Sequence, residues 1–120
     1  MTSVVWLRRD ARLDDNPALT TAVNQGPVCL LFVIDPVLFN RVSPRRRSLL
    51  VAGLGDLDSR LAERGGRLRV ERGDPASVVP EVVAQVGAEV VHTNLEVTPY
   101  GRMRDDRVKQ VCEMVEHDGQ

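Results

Sequence analysis

The sequence predicts an α/β domain of the Rossmann-like, three-layer kind: a mainly parallel sheet of about four strands with helices on both faces. Short apolar runs alternate with amphipathic stretches along the whole 120-residue chain. One run, "PVCLLFVID" at 27–35, is too uniformly apolar for a sheet with a wet face. The links between successive runs are short, so parallel strands joined by crossover helices are the economical arrangement. The length suits one core and hence one domain, residues 1–120.

Residues 4–7 are a short apolar run read as a buried strand. In the "DDNPAL" that follows, Asp15 or Asn16 can cap a helix with Pro17 at its first position, running to about Asn24 before Gln25-Gly26 ends it. Residues 27–35 form the central strand, and a loop over 36–42 leads to "SPRRRSLL", where Ser43 caps the next helix and Pro44 fits its first position. There Leu50, Leu54, Leu57 and Leu61 form an apolar stripe, while Gly53 and Gly55 weaken the helix by about 1 kcal/mol each relative to Ala. Gly65-Gly66 stops it. "RLRVERG" (67–73) alternates around Leu68 and Val70 as a strand. Asp74-Pro75 opens a helix carrying Val78, Val79, Val82, Val83 and Val86, in which Pro80 predicts a separate preliminary turn and Gly87 the end. "AEVVHTN" (88–94) is a fourth strand, "LEVTPYG" (95–101) a loop, and the last helix runs from Met103 to about His117.

Composition narrows the function. The chain is 42% hydrophobic and 28% charged, as in soluble globular proteins. A net charge of −1 offers bulk nucleic acid or an anionic membrane little attraction, so independent nucleic-acid binding is not expected. No apolar run is long enough to span a membrane and no cationic leader opens the chain, which makes the reducing cytoplasm the default location. Cys29 and Cys112 have no metal-like spacing, and neither GxGxxG nor GxxxxGK[ST] occurs. His92 on a strand and His117 in the tail read as structural, and Ser43 reads as a cap. No catalytic residue and no metal ligand is assigned.

In such sheets ligands bind beyond the carboxyl ends of the strands. That edge gathers Arg8, Arg9, Asp10 and Arg12, then Asp35, Arg45, Arg46 and Arg47, then Glu96, Tyr100, Arg102 and Arg104. Three arginines in the first turn of a helix oppose its dipole, at roughly a few tenths of a kcal/mol each. They become favourable where they face carboxylates such as Asp35 or Glu96, or an anionic or carbonyl-rich ligand.

Four blocks in order, "WLRRDARLDDNPAL" (6–19), "SPRRRSLL" (43–50), "LRVERGDP" (68–75) and "NLEVTPYGRMRDDRV" (94–108), resemble the N-terminal α/β domain of DNA photolyases and cryptochromes. The resemblance covers about Ser3 to Glu116. It departs at Ala11, where leucine is usual, at Thr93, where an aromatic is common, and at Glu96, where Asp is common. In that family this domain helps hold a light-harvesting antenna chromophore, and a larger helical domain binds FAD and repairs DNA.

For this chain the resemblance implies an antenna pocket drawing on Arg9, Phe32, Val33, Asp35, Arg46, Glu96 and Tyr100, with Arg46 beside Asp35 and Glu96. The ligand it implies is 8-hydroxy-5-deazaflavin or methenyltetrahydrofolate, with a flavin nucleotide as a further family choice. With the helical domain and the fifth family strand not expected in these 120 residues, it implies neither FAD binding nor photorepair by this chain alone. The partners it implies are a separate FAD-binding helical domain or self-association through an exposed sheet edge. Two other readings stand beside it: an inactive truncated deoxyribodipyrimidine photolyase fragment, and a generic nucleotide-binding α/β protein, against which the missing glycine-rich phosphate loop counts.

Overall fold

The computed structural model describes residues 1–8, 16–63 and 66–118. Its elements run β1 (Ser3–Leu7), α1 (Pro17–Gln25), β2 (Val28–Ile34), α2 (Pro36–Phe39), α3 (Pro44–Glu63), β3 (Leu68–Arg72), α4 (Pro75–Val86), β4 (Val90–Asn94), α5 (Pro99–Lys109) and β5 (Met114–His117). The sheet is parallel throughout, in the order β3-β2-β1-β4-β5. The chain winds outward from β1 to β3, returns to β4 on the other side of β1, and so leaves a topological switch point at the carboxyl ends of β1 and β4.

Side-chain alternation along the strands builds two cores. Val5, Leu7, Leu30 and Phe32 pack under α1 and α3, against Ala18, Ala22, Leu54, Leu57 and Leu61. Val4, Trp6, Leu31, Val33 and Val91 face α4 and α5 through Val79, Val82 and Val108. The three-layer α/β expectation holds, and the leucine stripe of α3 lies where its spacing puts it. Prolines set the helix starts: Asn16, Asp35, Asp74 and Thr98 each cap a helix whose first residue is Pro. Among the described residues no helix is long and apolar enough to cross a membrane.

Three local expectations need correction. Residues 36–39, read as loop, make one helical turn because the Asp35 carboxylate accepts from the Val37 N–H at 3.0 Å. Pro80 does not split α4: it lies inside the helix, which runs from Pro75 to Val86 without a break. The largest correction is at the carboxyl end. The last helix ends at Lys109, and residues 114–117 form a fifth strand, so the sheet has the strand that was expected to be missing. Val108, Val111, Cys112 and Val115 fit a helical period, but a short apolar run does not decide between helix and strand. The open edge of β4 does: Val91 N–H donates to the Glu113 carbonyl at 2.9 Å, and Leu95 N–H to His117 at 2.6 Å.

β5 is also fastened by side chains. Lys109 of α5 pairs with Glu116. On the other sheet face, His92 Nε2 donates to Gln25 Oε1 of α1 (3.0 Å), which leaves its Nδ1 to accept from His117 Nε2, 2.9 Å away. That arrangement needs the His92 ring neutral, since its Nδ1 must accept. Burial lowers the pKa of each from 6.5, and the neighbouring ring lowers His92 further. A base with a depressed folded pKa stabilises fully above its unfolded value, and the contribution is lost as pH falls below about 6.5. The urea midpoint should therefore drop between about pH 7.5 and about pH 5.5, with a smaller drop in His92→Gln. Equal pH slopes in the two proteins would show that this pair does not couple β5 to protonation.

Candidate functional site

A cavity of about 230 Å³ opens at the carboxyl ends of β1, β2 and β4. Its walls are apolar: Phe32, Val33 and Ile34 from the end of β2, Leu38 and Phe39 from α2, Val42 from the following loop and Leu50 from α3. Its polar residues are Arg8, Asp35, Glu96 and Arg104. The α2 turn thus supplies part of the wall.

The polar side is a network of buried ions. Arg8, just past β1, donates to Asp105 of α5 and to the Asn94 backbone carbonyl at the end of β4. Arg104, one residue before Asp105, places Nη1 3.4 Å from Asp35 Oδ2. The same Asp35 oxygen accepts from the Tyr100 hydroxyl at 2.7 Å. All four ion-pair side chains are at most 8% exposed. Both guanidinium groups lie over Trp6, at 4.8 Å (Arg8) and 5.3 Å (Arg104) from the ring centroid, so one indole supports both cations.

Burial, with the hydrogen bond to Asp35 next, raises the Tyr100 pKa and keeps the phenol protonated as a donor. Burial also raises the Asp105 carboxyl, against the pull of Arg8.

Glu96 is held by local geometry. Its Oε1 accepts from Val97 N–H (2.9 Å) and Thr98 N–H (3.3 Å), just ahead of α5. The helix can approach because residue 101 is glycine: a Cβ there would lie 2.0 Å from Glu96 Cγ. At the carboxyl end of β4, the Asn94 amide donates to Asn16 Oδ1 at 2.9 Å and its Oδ1 accepts from Ala18 N–H at 3.2 Å, joining the start of α1 to the same corner.

Of the residues named from sequence, Phe32, Val33, Asp35 and Glu96 line the cavity, and Tyr100 reaches it through Asp35. Arg9 lies outside the described residues. Arg46 does not stand beside Asp35 and Glu96. It is exposed, with its N–H capped by Ser43 Oγ at 3.3 Å, because the first turn of α3 directs it outward. The cation at Asp35 is Arg104, and the arginine of "PRRR" beside the wall is Arg47, which donates to Val42 O (3.1 Å) and Asn40 O (3.4 Å). Arg104 and Asp105 left a trace in the sequence. With Gly101 and Val108 they occupy one helical face, a buried stripe in which charge replaces the usual apolar residues. Among the described residues no group of three or more His, Cys, Asp or Glu is placed to hold a metal ion.

The family profile "DNA photolyase" matches residues 3–120. The chain belongs to the DNA photolyase family. It is 40% identical over 114 residues to a deoxyribodipyrimidine photo-lyase of Thermus thermophilus, covering 95% of this chain and 27% of that protein. It is 40% identical over 112 residues to cryptochrome-1 of Arabidopsis thaliana, covering 91% of this chain and 16% of that one. Among solved structures, a Synechocystis cryptochrome superposes with a TM-score of 0.90 at 26% identity, over 98% of this chain and 27% of that one. A class III photolyase from Agrobacterium tumefaciens gives 0.85 at 28% identity, over 98% and 25%. The chain thus spans about a quarter or less of the length of these relatives and corresponds to their N-terminal α/β domain.

Two substitutions test the site. Gly101→Ala should lower stability by about 1–3 kcal/mol by displacing Glu96, whereas an alanine in the middle of a helix is otherwise favourable; a neutral or stabilising change in urea denaturation would show that the contact yields freely. Tyr100→Phe should cost about 1.5–3 kcal/mol, because it removes a donor from a buried carboxylate. A loss below about 0.5 kcal/mol would mean that Asp35 is satisfied without it.

Proposed function

We propose that this domain binds a flat, light-absorbing chromophore in the cavity at the sheet's carboxyl edge and serves as the antenna-type module of a photolyase or cryptochrome system. The observation that carries this reading is the cavity itself: apolar walls of aromatic and aliphatic side chains meet an edge of fixed charges at the switch point of a parallel sheet. A planar ring system can stack among Phe32, Leu38, Phe39 and Leu50 while its polar edge meets Arg8, Arg104 and the carboxylates. Family membership narrows the candidates to 8-hydroxy-5-deazaflavin, methenyltetrahydrofolate or a flavin nucleotide, and the bound group would supply absorption in the near-ultraviolet or blue. Phe32, Val33, Asp35 and Glu96 are the residues that would touch it, with Tyr100 fixing Asp35 from behind. Repair of DNA and binding of FAD are not proposed for these 120 residues, and a separate FAD-binding helical partner fits the same reading.

The test is to produce the chain in a host supplied with deazaflavin and folate and to record the absorption of the purified protein. The expected result is retained absorbance above 350 nm, on the order of one chromophore per chain, and its loss in Leu50→Trp, which fills the cavity while the melt stays cooperative. A colourless wild-type protein that melts cooperatively would refute the reading.

A further inference from the structure

Arg41, Arg45, Arg46, Arg47 and Arg72 pair with no carboxylate among the described residues. Three of them lie against the cavity wall or against Tyr100. Arg47 and Arg72 both lie against Phe39, a wall residue, with guanidinium carbons 5.5 and 5.6 Å from the ring centroid. Arg72 ends β3 in register with Ile34, another wall residue. Arg41 lies over the Tyr100 ring at 5.4 Å, and Tyr100 is bonded to Asp35. Two cations on one phenyl ring stand within about a Debye length of each other, roughly 10 Å at 0.1 M salt, and repel. The described residues offer them no carboxylate partner, although carboxylates are plentiful (17 Asp and Glu) and pair with other arginines.

Size supplies a second, independent observation. The cavity, about 230 Å³, lies below the roughly 300–1,000 Å³ typical of sites that enclose a whole ligand. It suits a ring system and leaves any side chain of the ligand at the mouth, where the three arginines are.

We infer that Arg41, Arg47 and Arg72 form an anion subsite for a phosphate or carboxylate borne on the tail of the ligand whose ring occupies the cavity. This rests on the chromophore reading above and adds to it the chemical class of the tail. Guanidinium groups fit because each presents paired N–H donors to two oxygens of one anion, and because stacking on Phe39 and Tyr100 limits the freedom they lose on binding. Arg47 is already oriented by its bonds to the Val42 and Asn40 carbonyls, so it provides the fixed side of the clamp, while Arg41 and Arg72 close on it.

The experiment compares ligands that differ only in the tail. Dissociation constants of riboflavin and flavin mononucleotide, and of 8-hydroxy-5-deazariboflavin with and without a 5′-phosphate, are measured by fluorescence titration on the full chain. Arg47 has a structural duty, so the variant is Arg41→Gln/Arg72→Gln. In the ring series that binds, the phosphorylated ligand should bind about tenfold or more tightly at about 0.1 M salt, with the advantage shrinking at about 1 M. In the double variant that advantage should collapse while the unphosphorylated ligand binds as in wild type. Equal affinities within each pair, with the ring still bound, would overturn the subsite and leave the chromophore reading standing. Inorganic phosphate binding undiminished in Arg41→Gln/Arg72→Gln would also overturn it, by placing the anion site on other residues. No binding of either ring series would bring down both readings.

Discussion

Two buried arginines hold the carboxyl edge of this domain together. Arg8 and Arg104 both line the cavity and share Trp6, and each pairs with a carboxylate from another element. Burying such ions costs several kcal/mol apiece, which close pairing and extra hydrogen bonds must offset. The extra bonds are present: the Asn94 carbonyl for Arg8, and Tyr100 and the Val37 N–H for Asp35. Removing one partner would strand a charge, at about 3–5 kcal/mol. The network therefore ties β1, β4, α2 and α5 into one unit, where apolar packing alone could slide.

That unit positions the cavity. Asp35 does two jobs: its Oδ1 starts the α2 turn that carries Leu38 and Phe39 to the wall, and its Oδ2 anchors α5 through Tyr100 and Arg104. Gly101 lets α5 approach closely enough for Glu96 to stay folded beneath it. An apolar slot bounded by fixed charges can grip a flat heterocycle by its faces and orient it by its edge, as an energy-transferring chromophore requires. On the proposed reading, the arginines at the mouth that pair with no described carboxylate would extend the same logic from the ring to its tail.

Much of this was legible from sequence because strand ends are. Phe32, Val33, Asp35 and Glu96 follow or end long apolar runs, and a parallel sheet sends such positions to one edge whatever the details of packing. The partners across the site were not legible. Arg46 and Arg47 differ by one residue, about 100° around α3, and only the path of the 40–42 loop decides which turns inward. Arg104 was placed at that edge from sequence, but its pairing with Asp35 was not, because a helix with a single buried valine reads as carrying its charges on a solvated face. β5 was lost for the same reason: its pairing is set by the waiting edge of β4, not by its own short pattern.

The central claim is that the ion pairs act as a unit that shapes the site, and a double-mutant cycle on Arg104 and Asp35 tests it most directly. Urea unfolding of wild type, Arg104→Met, Asp35→Asn and the double variant would give their coupling free energy. The account predicts a coupling of about 2 kcal/mol or more, each single change costing more than its share because it leaves the other charge buried alone. Additive effects within about 0.5 kcal/mol would contradict it and show Arg104 and Asp35 to be neighbours without being partners.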